Sequence, residues 1–171
     1  VYSFADGGFQ DVTQYRYYLN PDYPFTSITN IVVKDDGLVY GYNSYFDNLF
    51  AVQYEDSSFS LQNTTPAYFL CKDMEAGADS VIFIATSDQG LCAITLVDST
   101  IQVVAESVIE TNAYSVAVNS AGTIFAGTDS VLYALTYEDT AFTTAAQIEV
   151  SSSETGPIRE IAVPDDSIVY V

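Results

Sequence analysis

The 171-residue chain contains no histidine and no tryptophan, and only four basic residues stand against 23 acidic ones. Without histidine, Ser-His-Asp and Cys-His catalysis and most zinc sites are closed to these residues. A serine nucleophile would need a lysine base instead, and no Ser-x-x-Lys occurs. A formal charge of −19 repels phosphate backbones, so no nucleic-acid partner is expected. Long apolar runs are also missing, and none approaches the ~18 residues of a membrane helix, so no membrane insertion is expected. There are only two cysteines, Cys71 and Cys92. The 49% apolar content is too high for a disordered acidic chain, and the length suits one domain.

What is abundant is tyrosine and phenylalanine, fourteen and ten residues, set in a repeating pattern. Asp36–Tyr42, Asp79–Thr86, Gly122–Thr128 and Asp166–Val171 share a turn followed by an aromatic-centred apolar strand. The central aromatics Tyr40, Phe83, Phe125 and Tyr170 are 43, 42 and 45 residues apart. Val1-Tyr2-Ser3 has the same look, and is expected to be a fifth copy of this strand. Each period holds four short apolar segments, A to D. In the second period these are Tyr68–Lys72, Ser80–Thr86, Leu91–Val97 and Ile101–Glu106; in the third they are Tyr114–Val118, Thr123–Thr128, Val131–Tyr137 and Phe142–Val150. The linking turns, such as Lys34-Asp35-Asp36-Gly37 and Tyr137-Glu138-Asp139-Thr140, are rich in residues that bond their own backbone or accept positive φ.

Four β-segments per 40–45 residues predict an all-β fold, a β-propeller of about four blades of four antiparallel strands. The expected single segment, 1–171, divides into repeats near 1–27 (partial), 28–66, 67–112, 113–156 and 157–171 (partial). Strands apolar on both faces, such as Val81-Ile82-Phe83-Ile84-Ala85, fit blades sandwiched between neighbours. A β-sandwich with chance similarity between strands is the alternative. If both ends carry the same strand, the segment is expected to be a window onto a larger ring, about half of one, and alone it would expose apolar blade faces and self-associate.

Gly122-Thr123-Ile124-Phe125-Ala126-Gly127-Thr128 with Val131-Leu132-Tyr133-Ala134-Leu135 resembles a quinoprotein-type (PQQ-like) propeller repeat. Read from Tyr114-Ser115-Val116-Ala117-Val118, the same period resembles the repeats of two-component-regulator and YVTN-type propellers. Ser130 stands where those repeats commonly have glycine, and tryptophan is missing. The resemblance implies a ring of more blades than this chain supplies, and many such rings carry no enzyme activity.

The candidate sites are few. Asn63-Thr64-Thr65 is an N-glycosylation sequon expected in a loop between segments D and A, with Pro66 directly after it. Cys71 in a strand A and Cys92 in a strand C should be about 9–10 Å apart across an intervening strand, too far for a disulfide, so both are expected as free buried thiols. The acid pairs Asp35-Asp36 and Asp165-Asp166 could hold Ca²⁺, although neither has the twelve-residue calcium loop. No other cofactor is expected. Tyr40, Tyr42 and Tyr45 could form a binding edge or could be packing between blades. These features suggest a non-catalytic, secreted or cell-surface module that binds protein or glycan or builds an assembly. Its partners would be other chains or the remaining blades of the same ring. The alternative is part of a lactonase- or quinoprotein-like enzyme whose catalytic residues lie elsewhere, and a further one is a scaffold made acidic for solvation in salt.

Overall fold

The computed structural model describes residues 2–5, 8–11, 28–34, 37–55, 58–78, 80–107, 109, 111–150, 156–165 and 168–171. Among them there are sixteen strands and no helix, hence none long and apolar enough to cross a membrane. The first four-stranded antiparallel sheet comprises β3 (Ile28–Val33), β4 (Leu38–Asn43), β5 (Asn48–Glu55) and β6 (Ser58–Pro66) in that order. The second comprises β7 (Cys71–Ala76), β8 (Ile82–Thr86), β9 (Gly90–Val97) and β10 (Thr100–Glu106). The third comprises β11 (Ser115–Val118), β12 (Ile124–Gly127), β13 (Val131–Glu138) and β14 (Ala141–Glu149). Two hairpins flank them in sequence, β1 (Tyr2–Ala5) with β2 (Gly8–Asp11) and β15 (Ala162–Asp165) with β16 (Ile168–Tyr170). The fold is thus a partial β-propeller, with three complete blades and two two-stranded sheets among the described residues.

Each first strand lies against the next one: β3 contacts β7, β7 contacts β11, and β11 contacts β15. At the other edge β6 meets β10, and β10 meets β14. The sheets therefore stack face to face, and the two interfaces are the two cores. Strand β8 divides its side chains between them. Ile82 and Ile84 enter the core against the first sheet, while Phe83 and Ala85 enter the core against the third. In β9, Cys92 and Ile94 take the first side, and Leu91 and Ala93 the second. A period-2 strand buried on both faces reads as continuously apolar, which is why these segments do not alternate. Phe83, Tyr137 and Phe142 pack as a trio in the second core, with ring centroids 5.2–5.8 Å apart. Where the third sheet has only β15–β16 beyond it, its outer strand β14 is exposed apart from Phe142.

The repeat is visible in backbone detail. In all three sheets the pairing of the third and fourth strands slips by one residue at the same place, after Ala51, Ala93 and Ala134, with Gln62, Val104 and Ala145 as the extra residues. Such bulges bend and twist a strand. The hairpins that join these strands have two-residue loops. Asp98-Ser99 and Asp139-Thr140 hold positive φ at both positions, 48° and 58°, then 50° and 63°. That is the mirror-image turn whose twist suits paired strands. Gly90 at φ 69° opens β9, where a Cβ would lie 2.3 Å from the Ile109 carbonyl oxygen, so only glycine fits.

One expectation is corrected. Strand A of the second blade is Cys71–Ala76, not Tyr68–Lys72. The apolar Ala67–Leu70 stretch is a bend that buries Phe69 and leaves Tyr68 84% exposed. Val1 lies outside the described residues, and Tyr2 and Ser3 belong to β1. β1 joins β2 through only two residues, with Phe4 opposite Phe9. Strands B and C are joined by longer loops, whereas the C–D hairpins have two-residue loops with Tyr54 opposite Phe59 and Tyr137 opposite Phe142. Phe4-Ala5-Asp6-Gly7-Gly8-Phe9 shares its outer aromatics and its Asp with Tyr54-Glu55-Asp56-Ser57-Ser58-Phe59 and Tyr137-Glu138-Asp139-Thr140-Ala141-Phe142, but has Ala5 where both have Glu. β1 and β2 thus form a hairpin of the C–D kind in loop length, as β15 and β16 also do.

Candidate functional site

The polar groups with the most distinctive surroundings lie along the stacked first strands. Asn30, Asp73 and Ser115 occupy one equivalent position, opposite Tyr42, Ala85 and Gly127. Each reaches the backbone of the following blade. Asn30 Nδ2 donates to the Lys72 carbonyl at 3.0 Å. Asp73 Oδ2 accepts the Val116 N–H at 2.9 Å. Ser115 Oγ donates to the Ile158 carbonyl at 2.8 Å. Lys34 Nζ adds a bond to the Gly77 carbonyl at 2.6 Å. Arg159 places its guanidinium over the Tyr114 ring, 5.7 Å from the centroid. Neighbouring blades are thus held by polar links at one edge and by the apolar cores between them.

Asp73 and Glu75 project from the same face of β7, toward β11, while Met74 between them enters the first core. Burial raises the pKa of Asp73; the N–H groups of Val116 and Met74 oppose that rise, and the charge of Glu160 adds to it. Burial likewise raises Glu75, with the Ala76 N–H opposing it and Asp73 adding to it. Asp73 commits both oxygens, since Oδ1 accepts the Met74 N–H at 2.9 Å. Glu75 Oε1 accepts the Ala76 N–H at 3.1 Å. A carboxylate held half-buried with a raised pKa is suited to take a proton from water.

A second polar series closes the B–C loops. Asn43, Thr86 and Thr128 are buried at the ends of their strands. Asn43 Oδ1 accepts the Tyr45 and Phe46 N–H groups, Thr86 Oγ1 accepts that of Gln89, and Thr128 Oγ1 that of Val131. The neighbouring carbonyls of Asp47, Thr86 and Thr128 accept N–H groups from Ala67, Ala113 and Ile158 in the chain leading to the next blade. Between the first two loops, Asp47, Ala67, Tyr68, Phe69, Leu70 and Asp88 line an open hollow of ≈ 190 Å³.

Most residues singled out in the sequence are not brought together. Tyr40 and Tyr42 are 0% and 1% exposed in the first core, so they are packing and not a binding edge. Tyr42 also donates to Asp47 at 2.8 Å. Tyr45 is 60% exposed and stacks edge-on with Phe46. Asn63 lies within β6 and not in a loop; its Nδ2, the nitrogen a glycan would occupy, donates to the Ser99 carbonyl at 2.8 Å. Cys71 in β7 and Cys92 in β9 are free and buried, with β8 between them. Burial pushes the Cys71 thiol far up, and the Cys92 thiol up to about 12. Asp35, Asp36 and Asp166 lie outside the described residues, and Asp165 is described only as the end of β15. Among the described residues, no three His, Cys, Asp or Glu side chains converge as metal ligands. The inter-blade series was missed because Asn, Asp and Ser share no identity; their spacing of 43 and 42 was the available signal.

No protein-family model matches the chain, and no curated protein matches it. Solved structures do. A protein of Bacteroides fragilis described as a candidate 6-phosphogluconolactonase aligns with 80% of this chain and 42% of its own, at a TM-score of 0.64 and 13% identity. A Lactobacillus plantarum protein aligns with 77% of this chain and 44% of its own, at a TM-score of 0.60 and 14% identity. The computationally designed Ika8 protein aligns with 84% and 42%, at a TM-score of 0.63 and 10% identity. At these identities the likeness shows the fold, and a designed protein shares it. This chain has a propeller-like fold and spans less than half the length of the solved structures it matches.

Proposed function

We propose that this chain is part of a larger β-propeller of lactonase-like type, acting on a cyclic ester of a sugar acid. The observation that carries this reading is the pair of half-buried carboxylates, Asp73 and Glu75, on an inner strand of a fold like that of the Bacteroides fragilis protein. In this reading Asp73 is occupied in joining blades, and Glu75 receives the proton of a water attacking the lactone carbonyl. The acyl C–O bond breaks, the ring oxygen leaves and takes a proton, and a hydroxy acid results. The remaining site residues come from blades beyond this chain. The test is lactone hydrolysis by the complete ring, followed as acid release above the spontaneous rate. Loss of that activity in Glu75→Gln, with the melting temperature preserved, supports the reading; an active Glu75→Gln ring, or a complete ring with no hydrolysis, overturns it.

A second reading is a non-catalytic secreted or cell-surface module that binds protein or glycan. The hollow beside the exposed Tyr68 and Leu70 favours it, because a tyrosine face flanked by Asp47 and Asp88 can stack on a sugar and bond its hydroxyls. Glycan-array binding lost in Tyr68→Ala supports this reading, and unchanged binding opposes it.

A further inference from the structure

We infer that the hollow between the first two B–C loops receives the guanidinium of an arginine presented by a partner protein. The inference rests on the second reading above, in which this hollow binds a partner, and it fixes that partner's chemistry. Asp47 enters the hollow from the loop between β4 and β5, and Asp88 from the loop between β8 and β9. The rest of the lining is the link between β6 and β7. That link alternates: Phe69 is buried, while Tyr68 is 84% and Leu70 51% exposed. The fold does not require this exposure. Among the described residues of the other two links no large apolar side chain is exposed, and Ile109, Ala113 and Ile158 are buried. Nor is the link loose. The Ala67 N–H donates to the Asp47 carbonyl at 2.7 Å, the Ser87 N–H to the Leu70 carbonyl at 3.1 Å, and Gln89 Nε2 to the Tyr68 carbonyl at 3.4 Å. Tyr68 and Leu70 are thus turned outward on a backbone bonded to both loops. An aromatic presented this way loses little further freedom when a partner docks.

The charge selects the ligand. Two carboxylates and no basic side chain line the hollow. Asp47 holds φ 47°, and its Oδ1 accepts the Tyr42 hydroxyl at 2.8 Å, which fixes the carboxylate in place. A hard metal ion fits poorly: it takes about six oxygens, and among the described residues no three ligand side chains converge. An organic cation fits better. A guanidinium is weakly hydrated, stacks on a tyrosine ring and forks onto a carboxylate. The chain sets 23 acidic residues against four basic ones, so its field draws a cationic partner and repels an acidic one. At ≈ 190 Å³ the hollow is smaller than the ~300–1,000 Å³ of small-molecule pockets, which suits one side chain and not a sugar chain. Tyr45, on the same loop as Asp47, is 60% exposed and extends the surface that the rest of the partner would meet.

The test titrates the 171-residue chain with the blocked peptide acetyl-Gly-Arg-Gly-amide and with its citrulline counterpart, which keeps the shape and loses the charge. Solution NMR should show saturable amide shifts at Tyr68, Leu70 and Asp88 with the arginine peptide. The citrulline peptide should bind roughly tenfold more weakly, the cost of losing a charge-assisted bond. Asp88→Asn changes an exposed side chain, and Asp47→Asn keeps an acceptor for Tyr42 and tolerates positive φ. Each should weaken the arginine peptide by a similar factor with the melting midpoint preserved. Equal binding of the two peptides, no saturation by the arginine peptide, or binding unchanged in both aspartate variants would overturn the inference. Binding of a neutral oligosaccharide that is lost in Tyr68→Ala but kept in Asp88→Asn would also overturn it, while leaving the second reading standing.

Discussion

The three equivalent polar links between blades should differ in strength in a set order. Asp73 accepts the Val116 N–H, and Val116 is only 3% exposed, so Asp73→Ala strands a buried donor as well as the Met74 N–H. A hydrogen bond to a charged group contributes about 1.5–3 kcal/mol, and relief of the buried carboxylate returns part of that, leaving a net loss of ~2 kcal/mol. Ser115 Oγ is a neutral donor to the Ile158 carbonyl, so Ser115→Ala should cost ~1 kcal/mol. The Asn30 link is exposed, and Asn30→Ala should fall within ~0.5 kcal/mol. At roughly 2–4 °C per kcal/mol for this size, the melting midpoint should drop by ~4–8 °C for Asp73→Ala, with about half that for Ser115→Ala. Urea titration gives the free energies, and an unchanged slope confirms that the same surface is exposed on unfolding. An Asn30→Ala loss equal to that of Asp73→Ala, or a stabilising Asp73→Ala, would refute the assignment of these residues as links graded by burial.

Further outcomes follow from the same geometry. Asp73 and Glu75 have raised folded-state pKa values, so their contribution is present below the ordinary carboxylate range and is lost as pH rises through the folded values. The wild type should therefore melt higher near pH 5 than at pH 7, and the gain should shrink in Asp73→Asn/Glu75→Gln; an equal gain in both proteins would remove these groups as its source. Cys71 and Cys92 should resist alkylation at pH 8 until the chain unfolds, because burial keeps both thiols protonated; rapid labelling of the folded chain would contradict this. Phe142→Ala should cost about 3–5 kcal/mol by emptying the aromatic trio with Phe83 and Tyr137. A loss below ~1 kcal/mol would show that the second core is not closed there.

Strands B and C were legible because burial on both faces writes them as short apolar runs around Tyr40, Phe83 and Phe125. Strand A of the second blade was not, because Cys71-Lys72-Asp73-Met74-Glu75-Ala76 carries three charges. Two of those, Asp73 and Glu75, face the neighbouring blade. The nearby Ala67–Leu70 run looked more strand-like, yet it only turns the chain over Phe69. The candidate site was least legible. Its raised carboxylates and inter-blade links depend on which side chains the stacking of blades buries, and local periodicity does not encode that.

The central claim is that these residues are one part of a ring and not a closed unit. Its most direct test is the solution mass of the 171-residue chain across a wide concentration range, by light scattering on an eluting peak. The account predicts a mass above that of one chain. A single-chain mass at every concentration, with one cooperative melting transition, would contradict it.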